Sequence, residues 1–267
     1  MKLLLILTLL LAAGYGTLCL YLFLTQESRI YLPRRELVAT PQDLGLSFAV
    51  RRFPAADGVQ LYAWWLPGKP DRSTVLYLHG NGGNLSYHLE HIALFARAGY
   101  GVLAADYRGY GNSEGRPGED GSYRDARAAW DHLTQVLGVP PDRILIYGHS
   151  LGSAIAAHLA TEVEPRALLV EGGFVSVPER AAELYPWLPV RLLARIRYPT
   201  AEFLGRATCP VTVLHARDDE IIPYAHGERL FAAAAHPQAF IPLHGGHNDA
   251  MRAAPGAILT ALDAATH

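Results

Sequence analysis

The chain has 267 residues, of which 50% are hydrophobic and 18% are charged, and its formal net charge is -2. This length suffices for one sizeable hydrophobic core, and the composition excludes an intrinsically disordered chain. The near-neutral charge provides no basic footprint for DNA or RNA, so we expect no nucleic-acid partner. Cys19 and Cys209 are the only cysteines, and neither belongs to a C-x-x-C pair. The cysteines therefore indicate no particular cellular compartment.

The N-terminus is strongly apolar, because residues 3–24 contain no charged side chain. A helix of this length would extend ~33 Å, which is enough to cross a bilayer. We therefore predict a single-pass membrane anchor at residues 1–26, followed by a juxtamembrane linker at 27–45. The alternative is a signal peptide that is removed. Basic residues flank the apolar stretch on both sides, with Lys2 before it and Arg29 after it. The charges therefore do not determine on which side of the membrane residues 46–267 lie.

The remaining residues, 46–267, alternate between strand-like and helix-like patterns. Apolar stretches of strand length occur at 46–53, 59–65, 74–78, 101–105, 143–147, 167–170, 211–214 and 239–243. Helical patterns occur at 123–137, 154–159, 223–235 and 248–264. An Asp-Gly pair at Asp57-Gly58 predicts a hairpin between the first two strands. This alternation predicts an α/β fold with a mostly parallel sheet that is covered by helices on both faces.

Gly148-His149-Ser150-Leu151-Gly152 has the G-x-S-x-G pattern of a nucleophile elbow, in which a sharp strand-to-helix turn exposes a serine hydroxyl. The predicted strand 143–147 precedes it and the predicted helix 154–159 follows it, as the elbow requires. A second copy of the pattern surrounds Ser113, but it follows a glycine-rich loop and precedes helix breakers. We therefore predict Ser150 as the nucleophile and interpret Ser113 as a loop serine that bonds local backbone.

Between residues 174 and 209 the pattern is irregular and bulky, and it includes Phe174, Tyr185 and Trp187. An insertion at this place in the chain would lie over the carboxyl edge of the sheet, where open α/β sheets bind ligands. One interpretation is a small apolar cap that lines an acyl pocket. The other is a pair of ordinary helices that cover the core.

A catalytic serine needs a base and a group that orients that base. Three acidic residues, Asp218, Asp219 and Glu220, follow the predicted strand 211–214 and precede a helix. A loop at the carboxyl end of a strand suits the orienting acid, but acids at a helix N-terminus also stabilise the helix dipole. The residues alone do not choose among the three.

The predicted base is His247, which follows the last strand and two glycines that free the backbone. His244, on the strand side of those glycines, is its main rival. The oxyanion of the reaction needs main-chain N–H donors. We expect one from Leu151, directly after the serine, and the other from Asn81 or Gly82 in the glycine-rich loop after the third strand.

Five motifs in this order resemble the serine hydrolases of the α/β-hydrolase superfamily. More narrowly, the chain resembles membrane-anchored abhydrolase-domain proteins of the Bem46-like and serine-aminopeptidase-like group. The motifs are His79-Gly80-Asn81-Gly82-Gly83-Asn84, Asp106-Tyr107-Arg108-Gly109-Tyr110-Gly111, the Ser150 elbow, the segment from His215 to Pro223, and Gly245-Gly246-His247-Asn248. The chain departs from the family by having Ala216 where glycine is usual.

The resemblance implies Asp219 as the catalytic acid and Asn81 as the second oxyanion donor. It also implies hydrolysis of ester, thioester or amide bonds through a Ser-His-Asp triad and a covalent acyl-enzyme, with no metal or cofactor. The expected partner is a small-molecule or lipid-like acyl substrate, and the oligomeric state stays open. A catalytically silent binding or scaffold protein at the membrane is the alternative, because a fold does not fix a function.

Overall fold

The computed structural model describes residues 1–266, which form an eight-stranded sheet with helices on both faces. Two further short strands pair with each other outside this sheet. The strands are β1 (Leu32–Pro33), β2 (Ala49–Pro54), β3 (Gln60–Leu66), β4 (Thr74–Leu78), β5 (Gly82–Gly83), β6 (Gly101–Asp106), β7 (Ile144–His149), β8 (Ala167–Glu171), β9 (Val211–Ala216) and β10 (Pro237–Leu243).

The α-helices are α1 (Lys2–Leu24), α2 (Gln26–Ile30), α3 (Leu89–Arg97), α4 (Glu119–Asp131), α5 (Leu151–Leu159), α6 (Val177–Leu184), α7 (Val190–Leu193), α8 (Thr200–Leu204), α9 (Tyr224–Ala233), α10 (Ala250–Ala253) and α11 (Pro255–Thr266). Single 3₁₀ turns occur at Pro41–Leu44, Leu85–His88 and Pro141–Arg143, and a π-helical turn at His132–Val136 follows α4.

The large sheet has the order β10-β9-β8-β7-β4-β6-β3-β2. All neighbours from β10 to β6 are parallel, whereas β3 is antiparallel to both β6 and β2. The predicted α/β fold, its mostly parallel sheet and its leading hairpin are therefore confirmed. Parallel pairing brings the carboxyl ends of β4, β7, β8, β9 and β10 to one edge, which is where the loops with the candidate chemistry begin.

Two apolar layers hold the sheet between the helices. Alternate side chains of a strand face opposite sides, so Leu76 and Leu78 of β4 join one buried cluster while Val75 and Tyr77 join the other. Helices α4, α5, α8 and α9 cover the first side, and α3 and α11 cover the second. Because both faces are covered, the central strands are apolar throughout rather than alternating.

The predicted helix at 248–264 is wrong in one respect, because the structure divides it into α10 and α11. Pro255 has no N–H group and its ring disfavours helical geometry in the preceding residue, so Ala254 leaves the helical conformation. Pro255 is then the first residue of α11, where its fixed φ suits a helix start. The predicted helix at 123–137 also differs, since α4 begins at Glu119 and continues into the π-helical turn.

Arg108 joins three parts of the fold. Its Nη2 lies 2.7 Å from Oδ1 of Asp125 in α4, and its Nη1 lies 2.7 Å from Oδ2 of Asp57 in the hairpin turn. Its main-chain N–H also donates to Asp125 at 2.7 Å. Asp125 is buried, so this guanidinium supplies the charge that compensates its carboxylate.

The N-terminal helix α1 is apolar, with a mean hydropathy of 2.3 over its most apolar 18 residues, and only 6% of that window is buried. Its length and composition would allow it to cross a membrane, although an N-terminal signal sequence has the same properties. After α2, the short strand β1 pairs in parallel with β5, placing Leu32 opposite Gly82 in the glycine-rich loop. The chain that follows α1 is therefore fixed to the edge of the sheet where the candidate site lies.

The segment 174–209 contains α6, α7 and α8, which differ in their environments. Helix α8 packs against α5 and α9, and its Thr200, Phe203 and Leu204 are buried. Helices α6 and α7 have no buried residue. One helix of this segment therefore belongs to the core covering, whereas the other two lie outside it and line a cavity described below.

Candidate active site

Ser150 lies at a sharp turn between β7 and α5, as the G-x-S-x-G pattern predicts. Its φ is 53° and its ψ is -118°, a left-handed conformation that costs a non-glycine residue free energy. The Ser150 N–H donates to the carbonyl of Glu171 at the end of β8, with N and O 2.8 Å apart. This bond anchors the turn to the neighbouring strand.

Both elbow glycines are required by close backbone approach. A Cβ on Gly148 would lie 2.4 Å from the carbonyl oxygen of Gly152, and a Cβ on Gly152 would lie 2.0 Å from the carbonyl oxygen of Leu78. Both distances are far below van der Waals contact with backbone atoms that cannot move freely. The pattern of small residues around Ser150 thus has a steric cause.

The structure brings Ser150, His247 and Asp219 into one hydrogen-bonded line. His247 Nε2 lies 2.9 Å from Ser150 Oγ, and His247 Nδ1 lies 2.7 Å from Asp219 Oδ2. A carboxylate accepts hydrogen bonds only, so Nδ1 carries the proton and Nε2 accepts from the serine hydroxyl. A hydroxyl, an imidazole and a carboxylate in this arrangement have the geometry that nucleophilic catalysis needs.

Asp219 has a full set of donors. Its Oδ1 accepts from the main-chain N–H groups of Ile221, at 2.9 Å, and Ile222, at 2.6 Å. His215 Nε2 lies 3.4 Å from the other carboxylate oxygen. Burial acts to raise the pKa of Asp219, but the hydrogen bonds from His215, His247 and Ile222 outweigh it and hold that pKa well below its usual value. Asp219 is therefore ionised and can orient His247 at neutral pH.

The neighbouring acids and the rival histidine lie elsewhere. Asp218, Glu220 and His244 are all exposed. Glu220 Oε2 accepts a hydrogen bond from the main-chain N–H of His247, with N and O 3.0 Å apart. Glu220 thus holds the loop that carries His247 but does not bond to its imidazole.

The main-chain N–H groups predicted to stabilise an oxyanion lie in the loop after β4 and at the start of α5. Asn81 and Leu151 line the same cavity as Ser150, and within residues 1–266 their N–H groups have no intramolecular acceptor. The Asn81 side chain has a different task, because its Oδ1 accepts from Tyr110 Oη at 2.9 Å and its Nδ2 donates to the carbonyl of Ile30. These bonds fix the loop and leave its main-chain N–H available.

A buried polar cluster that the sequence analysis missed lies beneath the elbow. Glu171 Oε2 accepts from Tyr147 Oη at 2.8 Å and lies 2.9 Å from His91 Nε2. Burial acts to raise the pKa of Glu171, but His91 and, to a smaller extent, His149 and Tyr147 lower it to about 2. The only sequence signal was an acidic residue at the end of an apolar strand, which does not reveal a partner 80 residues away.

Within the described residues, one buried group of possible metal ligands is formed by His91, His149 and Glu171, whose ligand atoms lie within 4.8 Å of one another. Glu171 already bonds His91 and Tyr147, so hydrogen bonds account for much of this cluster without a metal. Burial also lowers the pKa of His149 to about 3, which keeps its imidazole neutral beside His247.

A cavity of about 1580 Å³ extends from Ser150 and His247. The three predicted pocket residues, Phe174, Tyr185 and Trp187, all line it. Phe174 is buried, whereas Tyr185 and Trp187 expose about half of their surface. The cavity exceeds the usual size of a pocket for a small ligand, which is ~300–1,000 Å³.

Ser113, the serine of the second G-x-S-x-G copy, lies away from this arrangement. It is fully buried, donates to the carbonyl of Asp106 at 2.6 Å and accepts from the N–H of Tyr62 at 2.8 Å. Its interpretation as a loop serine that bonds backbone is confirmed.

Comparison with known proteins agrees with the fold and the elbow. Residues 73–169 match the family model described as alpha/beta hydrolase fold. The alpha/beta hydrolase domain-containing protein WAV2 of Arabidopsis thaliana is 30% identical over 233 residues, which cover 79% of this chain and 76% of that protein. The chain belongs to the alpha/beta hydrolase fold family.

Two further proteins are similar to this alpha/beta hydrolase. The lysophosphatidylserine lipase ABHD12 of Danio rerio is 33% identical over 195 residues, which cover 63% of this chain and 50% of that protein. The structure of the Pyrococcus furiosus esterase Pf2001 superposes with a TM-score of 0.72 at 20% identity, covering 88% of this chain and 97% of the esterase. At that identity, the structural likeness supports the fold alone.

Proposed function

We propose that this alpha/beta hydrolase is a serine hydrolase that cleaves ester, thioester or amide bonds of acyl-type substrates. One observation carries the proposal, namely the hydrogen-bonded line from Ser150 through His247 to Asp219 at the wall of a large cavity. A serine in this setting gains nucleophilicity because the imidazole accepts its proton as the new bond forms.

The reaction would proceed in two halves. Ser150 Oγ bonds to the acyl carbon while His247 Nε2 takes its proton, and the same proton passes to the leaving group as the scissile bond breaks. A water molecule then attacks the acyl-enzyme with His247 again as base, which releases the acid and restores the serine hydroxyl. Asp219 stabilises the imidazolium in both halves, and the N–H groups of Asn81 and Leu151 stabilise the oxyanion.

A lipid-like substrate at a membrane is the best-supported class. The cavity is lined largely by apolar side chains, and the relative ABHD12 is described as a lysophosphatidylserine lipase. The apolar helix α1 would hold the catalytic domain at the bilayer surface if it is retained. These points favour acyl esters over peptides as substrates.

A fluorophosphonate probe, which reacts covalently with activated serines, tests the proposal. The wild-type protein is expected to be labelled and to hydrolyse p-nitrophenyl esters, and Ser150→Ala is expected to abolish both. Ser113→Ala is the matched control, and it should keep labelling despite the loss of two backbone hydrogen bonds. A folded wild-type protein without labelling or turnover would instead indicate a silent binding protein.

A substrate panel then identifies the scissile bond. Matched acyl esters, thioesters and amides should be compared by kcat/KM, with Ser150→Ala as the background. The bond class with the highest value above that background defines the activity.

A further inference from the structure

The end of helix α1 contributes to the same cavity as the candidate nucleophile. Four side chains from its last two turns line the cavity, namely Leu18, Tyr21, Leu22 and Phe23. The cavity is also lined by residues of α6 and α7 and of the loop between them. The space in front of Ser150 is therefore enclosed partly by a helix that lies outside the sheet-and-helix core.

Hydrogen bonds hold α1 and Gln26, the first residue of α2, against the segment 174–209. Tyr15 Oη donates to the carbonyl of Trp187, with the two oxygens 2.8 Å apart. Gln26 Nε2 donates to the carbonyl of Leu193 at 2.8 Å, and Gln26 Oε1 accepts from the N–H of Arg195 at 2.8 Å. Unlike an apolar contact alone, these bonds specify one position of α1 relative to α7 and the loops on either side of it.

The first part of α1 has a different environment. Its large apolar side chains before Tyr15 are exposed, including Leu3, Leu4, Leu9, Leu10 and Leu11. The hydrogen bonds to the segment 174–209 begin at Tyr15, so a bilayer around the residues before it would end close to the cavity. An acyl chain that leaves the bilayer along α1 would therefore stay in contact with apolar side chains until it reaches Ser150.

We propose that the last turns of α1 form one wall of the acyl-binding site, and that the ligand is the long acyl chain of an ester drawn from the membrane. This inference rests on the proposed hydrolase function. It adds that residues of the N-terminal helix determine the length of acyl chain that the enzyme accepts. Leu22 and Phe23 are best placed to do so, because both are half-buried and line the cavity. The Phe23 ring also contacts the Arg195 guanidinium, so Leu22 is the simpler of the two to test.

Substitution with tryptophan on two sides of the same helix tests this inference. Leu22→Trp adds bulk inside the cavity, whereas Leu24→Trp adds the same bulk at an exposed position that does not line it. The full-length protein in detergent micelles should be assayed with p-nitrophenyl esters from acetate to palmitate. The readout is the ratio of kcat/KM for palmitate to kcat/KM for acetate. This ratio does not depend on the fraction of active protein, because an inactive fraction lowers both values by the same factor.

Each methylene that loses its binding site should lower kcat/KM about fourfold. Leu22→Trp is therefore expected to lower the palmitate-to-acetate ratio at least tenfold, since exclusion of two methylenes is enough. Leu24→Trp should keep the ratio within twofold of the wild type. Equal ratios in the two variants would overturn the inference.

Leu22→Ala provides a second measurement if the tryptophan variant does not fold. Removal of bulk from the wall is expected to move the preferred ester toward longer chains, and an unchanged chain-length profile would overturn the inference. An active wild-type enzyme whose profile responds to neither variant would leave the hydrolase function intact and refute only the role of α1. A folded wild-type protein without probe labelling or turnover would refute both.

Discussion

Replacement of Asp219 by asparagine is expected to stop turnover while leaving the fold intact, and the structure gives the reason. Oδ1 of Asp219 accepts the N–H groups of Ile221 and Ile222, so the asparagine must keep its carbonyl oxygen there. Its NH₂ group then faces His247 Nδ1, which becomes an acceptor. The proton of the neutral imidazole moves to Nε2, which can no longer accept the proton of Ser150.

A base in the wrong tautomer loses about 10⁴-fold in kcat, which corresponds to about 5 kcal/mol of transition-state stabilisation. The stability effect should be smaller, because asparagine has nearly the same volume and keeps both main-chain hydrogen bonds. We therefore expect a large loss of kcat with a folded protein, a combination that a general packing defect would not produce.

Asp218→Asn and Glu220→Gln are the matched controls in the same loop. Asp218 is exposed, and glutamine at position 220 retains an oxygen that can accept the N–H of His247. Both variants are expected to keep kcat within about fivefold of the wild type, as is usual for exposed sites. The assay combines kcat on a p-nitrophenyl ester, the rate of fluorophosphonate labelling and a thermal unfolding curve for each protein.

Folded Asp219→Asn with more than a tenth of the wild-type kcat would refute this reasoning. A crippled Asp218→Asn beside a normal Asp219→Asn would show that the acid had been assigned one residue too far along the chain.

Three further outcomes are expected. Arg108→Ala should lower the free energy of unfolding by about 3–5 kcal/mol in a denaturant titration, because it leaves the Asp125 carboxylate buried and unpaired. Arg124→Ala removes an exposed ion pair and should lower the same free energy by less than ~1 kcal/mol. Glu171 has a pKa of about 2 against a usual 4.5, so its stabilisation is complete above about pH 4.5 and is lost as the pH falls toward 2. Between pH 4.5 and pH 2, the free energy of unfolding should therefore fall less in Glu171→Gln than in the wild type, by on the order of 3 kcal/mol. If the free energy of unfolding falls equally in the two proteins, the low pKa of Glu171 is contradicted. If α1 is a retained anchor, the protein should stay in carbonate-washed membranes with its N-terminal peptide intact, whereas a soluble chain that begins beyond residue 13 would indicate a cleaved signal peptide.

The sequence predicted the parts of the site that depend on local pattern and chain order. Ser150 was identified by the strand and helix around it, and His247 by its place after the last strand and two glycines. Once a parallel sheet is expected, loops that follow its strands must meet at one edge, so their residues can be placed together without knowledge of side-chain contacts. The choice of Asp219 among three adjacent acids came from family resemblance, because strand periodicity does not determine which loop side chain faces inward.

Contacts between distant segments were not predictable in this way. The His91–Glu171 pair joins residues 80 apart, and the bond from Tyr15 to Trp187 joins residues 172 apart. Neither pair has a spacing or motif that signals contact, because such pairs are determined by how helices and loops pack in three dimensions. The helix break at Ala254, unlike these contacts, was predictable from the sequence. Proline disfavours helical geometry in the residue before it, so Pro255 indicates a division of the helix at this point.

The positive φ of Ser150 belongs to the turn that presents the candidate nucleophile, but it lowers the stability of the folded chain. Glycine adopts φ near 53° without the steric cost that a side chain brings, so Ser150→Gly should unfold at a higher denaturant concentration than Ser150→Ala. A lineage that lost the hydrolase activity by this one substitution would be relieved of backbone strain, so its folded state need not be destabilised by the loss. The single substitution Ser150→Gly would therefore convert the enzyme into a protein that uses the cavity only for binding, without the added backbone strain that Ser150→Ala retains.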